Sequence, residues 1–376
     1  MENEPLLMIP GPVPMPERVR LAMSRQAINH RGTEFGEIYT TCITTLKKCF
    51  GTENDLFVLS GSGTAAMEAA VANFAVGTKT ACLVNGKFGD RLFRIAQRYG
   101  TAQELASEWG APLDLEALSS ALEAGAEVVT MVHNETSTGI KNPAREIAAL
   151  ARKHGALCIM DGITSIGGDE VRADEWGVDV AIVGSQKCLA APAGLSAISV
   201  SERAWESIST TRPYYLDLES YRKSCRKSPV QTPYTPAVPL FFALAEACAI
   251  IEEEGLEQRI ARHQRGAEAI RSAAEAWGLS LFPKTDALHV PSNTVTAISI
   301  PEEILDTDLR GGVKKLGIII AGGQDHLKGR IFRIGSMGAV GAPEILATLG
   351  AVQHVLLAHG VSLRGDGVGA AAGVLG

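Results

Sequence analysis

From Asp55 to Val200 the chain repeats one pattern, a short and nearly unbroken apolar run followed by a segment whose apolar residues recur at helical spacing. The runs are Leu56–Leu59, Ala81–Val84, Val128–Val132, Ala156–Met160, Val178–Val183 and Leu195–Val200, and amphipathic segments occupy 62–76, 88–99 and 143–154. A strand that is apolar at successive positions has both faces covered. Covering both faces of a sheet takes helices that cross from one parallel strand to the next. The expected fold is therefore α/β, a large domain whose mostly parallel sheet is flanked by helices. In such a sheet ligands gather at the carboxyl ends of the strands.

The rest of the chain fits a second unit. With 376 residues and 46% hydrophobic content, the sequence exceeds what one core usually organises, so a smaller domain is expected beside the large one. Pro239 to Trp277 reads as a long helical region with a break at Gly255. After it come isolated runs at Thr294–Ile300, Ile318–Ile320 and Ile331–Ile334, with helical spacing near 302–316 and 343–358, which is the pattern of an α+β domain. The Gly/Ala-rich end, Gly365–Gly376, is expected to fray.

Composition narrows the function classes. The formal charge of -7 is spread without long runs, which leaves no footprint for nucleic acid or an anionic membrane. No run approaches the roughly 18 apolar residues of a membrane span. The start, Met1-Glu-Asn-Glu-Pro5, lacks the basic and apolar regions of a signal peptide, so a cytoplasmic protein is expected. The seven cysteines (Cys42, Cys49, Cys82, Cys158, Cys188, Cys225 and Cys248) form no C-x-x-C pair, and neither a metal site nor a disulfide scaffold is expected.

Three features carry chemistry. Ser60-Gly-Ser-Gly-Thr64 is a small-residue turn between a strand and a helix, where free amides and the helix dipole favour a phosphate. It also fits a relaxed dinucleotide fingerprint. That reading needs an acid at the end of the next strand, where Asn85 stands, and no Gly-Lys-Ser/Thr supports a nucleotide loop of the other kind. The second and third features are Asp161 and Lys187, each closing an apolar run at the same sheet edge. Alone they read as an ion pair. With the phosphate turn they read as a pyridoxal-phosphate site, in which Lys187 forms the imine with the cofactor aldehyde and Asp161 stabilises the protonated ring nitrogen. Phe88 either stacks on the ring or packs in the core. Cys188 is expected to point away from Lys187 along the strand.

Read in order, Ile9-Pro-Gly-Pro12, Ser60–Gly63, Glu135-Thr-Ser-Thr-Gly139, Asp161 with Ser165-Ile-Gly-Gly168, Gly184-Ser-Gln-Lys187, Thr235-Pro-Ala-Val238 and Phe332-Arg-Ile-Gly335 resemble the class V aminotransferases of fold type I. The branch most similar is the alanine–glyoxylate and serine–pyruvate or serine–glyoxylate one, and the resemblance runs through nearly the whole chain. It implies that Ser62, Gly63 and Thr64 lie on the cofactor phosphate with Gln186 beside it, and that Thr235 reaches it from the other subunit of a homodimer with shared sites. It also implies that Thr136 bonds the ring hydroxyl, that Ile163 packs on the ring opposite Phe88, and that Arg333 takes the substrate carboxylate. A guanidinium suits that task because it binds a carboxylate bidentately. Its plainer reading is a salt bridge. Relatives often carry histidine at the position of Thr64 and tryptophan at that of Phe88, and a tyrosine near Thr232 is displaced here to Tyr234.

The resemblance implies three parts: an N-terminal segment 1–16 near the active site, a cofactor-binding domain 17–256 and a small domain 257–376. It implies ping-pong transfer from a small amino-acid donor, alanine or serine, to glyoxylate or pyruvate, with Lys187 as both anchor and base. Aspartate, 2-aminoethylphosphonate or ureidoglycine as donor, or a lyase reaction on the same scaffold, stand as alternatives. A desulfurase would need a reactive cysteine in the C-terminal half, and the last one here is Cys248 in an apolar helix. The resemblance brings the polar run His30-Arg31 toward the active site, where selection of the substrate side chain is its expected role, and His133 reads as a structural histidine.

Overall fold

The computed structural model describes residues 4–376. Met1, Glu2 and Asn3, the start of the expected 1–16 segment, lie outside the described residues.

The main sheet has seven strands in the spatial order Asp55–Ser60, Leu195–Val200, Val180–Gly184, Leu157–Asp161, Val128–Val132, Lys79–Val84 and Thr101–Ala106. Leu195–Val200 runs antiparallel to both neighbours, and every other pairing is parallel. Strand geometry sends alternate side chains to opposite faces. Leu56, Val58, Cys158, Met160, Ala181 and Val183 enter one core, under the helices Thr33–Phe50, Ala144–Lys153 and Val238–Glu254. Phe57, Leu59, Leu157, Ile159, Val180 and Ile182 enter the other, under Gly63–Phe74 and Lys87–Tyr99. Both faces are covered, as the apolar runs require. Asp161 is in step with Leu157 and Ile159, so its side chain emerges on the face of the helices that begin at Gly63 and Lys87.

Gly255 separates the helices Val238–Glu254 and Leu256–Trp277 where the sequence places a break. Beyond it Val295–Ser299, Ile331–Gly335 and Ala321–Gly322 form a small antiparallel sheet packed on the helices Leu256–Trp277, Asp306–Lys315 and Ala342–Ala358. The N-terminal strand Leu6–Leu7 pairs with Ile318–Ile319, and Met8 is buried in this same C-terminal core. The chain then reaches the turn beyond the strand Val180–Gly184, where Pro10 and Gly11 meet Lys187.

Two expectations are corrected. Gly365–Gly376 does not fray: Gly367–Leu375 is a helix whose N-cap Asp366 accepts from the Val368 amide, and Ala371 is fully buried against the small-domain core. Small residues let this helix lie close on its neighbour, since a Cβ on Gly367 would stand 2.3 Å from Trp277 Nε1. Lys187 and Cys188 do not continue a strand either. The strand stops at Gly184, both residues lie in the turn beyond it, and the Cys188 thiol donates to the Thr164 carbonyl at 3.3 Å. Among the described residues no helix is long and apolar enough to cross a membrane.

Candidate active site

Asp161 closes its strand buried, with one carboxylate oxygen accepting from the Ile163 amide at 2.7 Å. Burial pushes its carboxyl up from 3.8 to about 7, and the charge of Glu135 adds to the rise. Lys187, from the next strand's turn, donates to the Pro10 carbonyl. Burial draws the amine down from 10.5 to about 8. The strap Pro10–Gly11 lies so close that a Cβ on Gly11, whose φ is +103°, would stand 2.6 Å from the amine. Only glycine fits both the conformation and the space. A carboxylate and an amine, both held where charge is costly, mark a site that expects compensation from a ligand.

On the same face the helix Gly63–Phe74 begins after Ser62, whose extended backbone caps it without a side-chain bond. Gly61 donates to the Gly194 carbonyl, while the amides of Gly63 and Thr64 have no acceptor among the described residues. They remain free for an anion. A Cβ on Gly63 would meet Ile163 Cδ1 at 2.5 Å, so the helix start sits directly on Ile163. Gln186 Oε1 is buried nearby without a partner. The Thr64 hydroxyl accepts from Arg91 Nη1 at 3.1 Å.

Phe88 is positioned from behind. The fully buried Glu135 accepts from the amides of Phe88 and Gly89, each at 3.0 Å, and from the Ser137 amide and hydroxyl. Its carboxylate thus binds the first turn of Lys87–Tyr99, where the helix dipole favours an anion. Burial raises the Glu135 pKa, and its hydrogen bonds oppose the rise. Phe88 is half-buried: it packs against the core of this face but is not wholly enclosed by it.

Arg333 comes from the small sheet. Nε and Nη2 donate to the Gly322 carbonyl at 3.0 and 2.8 Å, and Nη1 to the Thr136 carbonyl at 2.9 Å. It makes no ion pair among the described residues, so the salt-bridge reading fails. Of five N–H donors three are used, and one on each terminal nitrogen is left. Burial lowers its pKa to about 10. The Thr136 hydroxyl shares a hydrogen bond with that of Thr164 at 2.8 Å.

Other expected residues lie apart. Thr235 is exposed in the single chain, and Tyr234 is stacked on Tyr215 with centroids 5.2 Å apart, its hydroxyl donating to the Tyr214 carbonyl. Arg31 is exposed and donates to Gln231 at 3.3 Å; His30 is half-buried beside it. His133 is structural: Nδ1 bonds the Ser165 hydroxyl, the ring meets Trp176 edge-on, and burial lowers its pKa to about 4. Sequence reasoning assigned no role to Glu135, to the Pro10 carbonyl or to Arg91. Arg91 had one signal, its i+3 spacing from Phe88 on a helix. Among the described residues no three His, Cys, Asp or Glu side chains are grouped to hold a metal ion.

The profile of the family described as aminotransferase class-V matches residues 19–326. An uncharacterized aminotransferase of Methanocaldococcus jannaschii is 45% identical over 98% of this chain and 97% of its own length. A serine–glyoxylate aminotransferase of Methylorubrum extorquens is 36% identical over 98% of this chain and 95% of its own. Among solved structures, the ureidoglycine–glyoxylate aminotransferase of Bacillus subtilis superposes with a TM-score of 0.93 at 32% identity, covering 100% of this chain and 98% of that one. The mixed, mostly parallel sheet and its flanking helices are the fold of pyridoxal-phosphate aminotransferases, fold type I. The chain belongs to the class-V aminotransferases.

Proposed function

We propose that this chain is a pyridoxal-phosphate transaminase that moves the amino group of a small amino acid, alanine or serine, to glyoxylate or pyruvate. The observation that carries the reading is the convergence of the buried Asp161 and Arg333 on the half-buried Lys187, whose amine feels both charges, with no ion pair among the three and each with capacity left for a ligand.

The residues present fit the cofactor. The free amides of Gly63 and Thr64 and the Ser62 turn suit its phosphate, and Gln186 can serve it through the N–H groups of its side chain, not through Oε1. Asp161 has an oxygen left for the ring nitrogen, Phe88 and Ile163 can flank the ring, and Thr136 can reach its hydroxyl. When bound, the cofactor supplies an aldehyde for attachment to Lys187 and an electron-withdrawing ring that acidifies the α-hydrogen of an amino acid. Lowering the amine from 10.5 to about 8 leaves roughly a tenth of it unprotonated near neutrality, far more than for a free lysine, and it is this neutral form of Lys187 Nζ that can accept the α-proton and return it. Asp161, as carboxylate, holds the proton on the ring nitrogen. Arg333 fixes the substrate carboxylate with its two remaining N–H groups. The strap at Pro10–Gly11 covers one side of the amine and orients it through the Pro10 carbonyl.

We assign an N-terminal segment 1–16, a cofactor-binding domain 17–256 and a small domain 257–376, with a homodimer in which Thr235 serves the partner's phosphate. Seven unpaired thiols suit the reducing cytoplasm. The relatives act by name on serine and ureidoglycine with glyoxylate, and a single carboxylate-binding arginine favours a small neutral donor. The test is a half-reaction screen: each candidate donor is added without acceptor while the visible absorption of the bound cofactor is followed. Serine or alanine should bleach it, and glyoxylate or pyruvate should restore it. Kinetics requiring both substrates together before any product forms would overturn the reading, and product release without a 2-oxo acid would make the enzyme a lyase.

A further inference from the structure

Arg91 is the charge left over in this site. It lies on the second turn of Lys87–Tyr99, and the nearest acid on that helix, Asp90, is held by Arg94 at 2.8 Å and by Lys87 at 3.6 Å. Lys87 is in turn paired with Asp325 at 2.6 Å. Arg91 itself makes no ion pair among the described residues. Its guanidinium is fixed from two sides: Nη1 donates to the Thr64 hydroxyl at 3.1 Å, and Cζ stands 4.8 Å over the Phe88 ring. Thr64 carries one of the two free amides at the start of Gly63–Phe74. The Arg91 charge is also felt by both Asp161 and Lys187, lowering each.

A half-buried guanidinium with spare N–H groups, unpaired and tied to the residue that opens an anion-binding helix, lacks an anion. The helix dipole supplies about half a charge, while a phosphate monoester carries close to two. We propose that Arg91 supplies the countercharge for the cofactor's phosphate, acting beside Thr64, and thereby sets the affinity for the phosphorylated form of the cofactor. This rests on the pyridoxal-phosphate reading above. The Arg91–Phe88 contact gives the residue a second effect, since the same side chain that holds the phosphate steadies the ring face.

The test compares pyridoxal phosphate with pyridoxal, which lacks the phosphate, in titrations of the full-length cofactor-free protein. Arg91→Met should weaken pyridoxal phosphate about tenfold to a hundredfold while leaving pyridoxal within about twofold, and Arg91→Lys should recover most of the loss. Phosphorus NMR of the bound cofactor adds a second readout: in Arg91→Met the phosphate should take up its proton at higher pH than in the wild type. Arg91→Gln removes the charge but keeps an N–H donor for the Thr64 hydroxyl, so a loss confined to the phosphorylated form is again expected, and this variant decides the matter if Arg91→Met does not fold. Equal losses for both ligands would reduce Arg91 to a support for Phe88 and overturn the proposal, as would unchanged affinity for both. A wild-type protein that binds no pyridoxal phosphate would instead overturn the function on which the proposal rests.

Discussion

Lys187 and Asp161 show what a binding site costs before its ligand arrives. The folded lysine titrates near 8 against 10.5 for a free side chain. Between those values the unfolded chain holds more protons, so stability rises with pH across the window, and below about 8 the full cost of the buried charge is present. Asp161 works in the opposite sense: its folded value near 7 lies above 3.8, so stability falls as pH rises between them and the cost is full above 7. The cofactor-free protein should therefore be stabilised by Lys187→Met, which keeps the volume and removes the charge, by about 1–3 kcal/mol at pH 7. The gain should vanish above pH 10.5. Melting curves of the two cofactor-free proteins between pH 6 and 11 would show it, and a pH-independent difference would mean that packing, not charge, separates them. Arg333→Lys is expected to act on turnover. It removes the forked geometry while keeping a charge, so kcat/KM should fall about tenfold to a hundredfold with the cofactor still bound, as steady-state kinetics and the visible spectrum would report. The sequence singled out Lys187 and Asp161 only in company: either charge alone reads as one half of an ion pair, and the phosphate turn at the same sheet edge is what gave the two a joint meaning. Arg91 was not singled out, since spacing along a helix does not say which of several exposed faces turns toward a neighbour.

At the level of elements, the site depends on how two helices begin. The start of Gly63–Phe74 is left open to a ligand, whereas that of Lys87–Tyr99 is closed by Glu135, which spends both carboxylate oxygens on it and on Ser137. Glu135→Gln would turn an amide donor toward groups that are themselves donors. A loss of about 2–3 kcal/mol is expected, with a weaker visible circular dichroism of the bound cofactor as Phe88 loses its fixed position. If the melting point drops and the dichroism stays, Glu135 is a helix cap and nothing more. The buried strands could be read from the sequence because both faces are covered and every residue reports it. The edge strand Thr101–Ala106 could not: only Leu105 is buried, and an edge facing water carries no apolar run. The same apolar runs put Asp161 and Lys187 at one sheet edge, but the pairing of their strands, Asp161 beside Ile182, is seen only in the fold. The turn that carries Lys187 three residues past its strand was not legible either, because the apolar run ends at Val183 and the polar Gly184-Ser-Gln-Lys187 does not say whether the chain extends the strand or leaves it.

Across the whole molecule, the two ends of the described chain secure the half that delivers Arg333. Leu6–Leu7 joins Ile318–Ile319, Met8 enters the small-sheet core, and the same strap continues to the Lys187 amine, so the position of the small sheet and the burial of the lysine are linked through a few residues. The C-terminal helix closes the opposite side. Trp277 is buried beneath it, with Nε1 donating to Gln353 at 2.6 Å, and Gly367 leaves room for the indole. Composition argued for a frayed end because glycine and alanine bring little apolar area, but small side chains also permit close approach, and here that approach covers a tryptophan. Removing Gly365–Gly376 should therefore uncover the indole edge and the side chains that met Ala371, costing about 2–4 kcal/mol at the usual value per buried area. Gly367→Val, which keeps the helix and forces it off Trp277, should cost a similar amount. Both variants should shift tryptophan emission to the red and lower the melting point while leaving the affinity for pyridoxal phosphate nearly unchanged, because the cofactor cradle is built from the other sheet. Loss of cofactor affinity in either would show that the small domain's packing reaches Lys187 through the N-terminal strap.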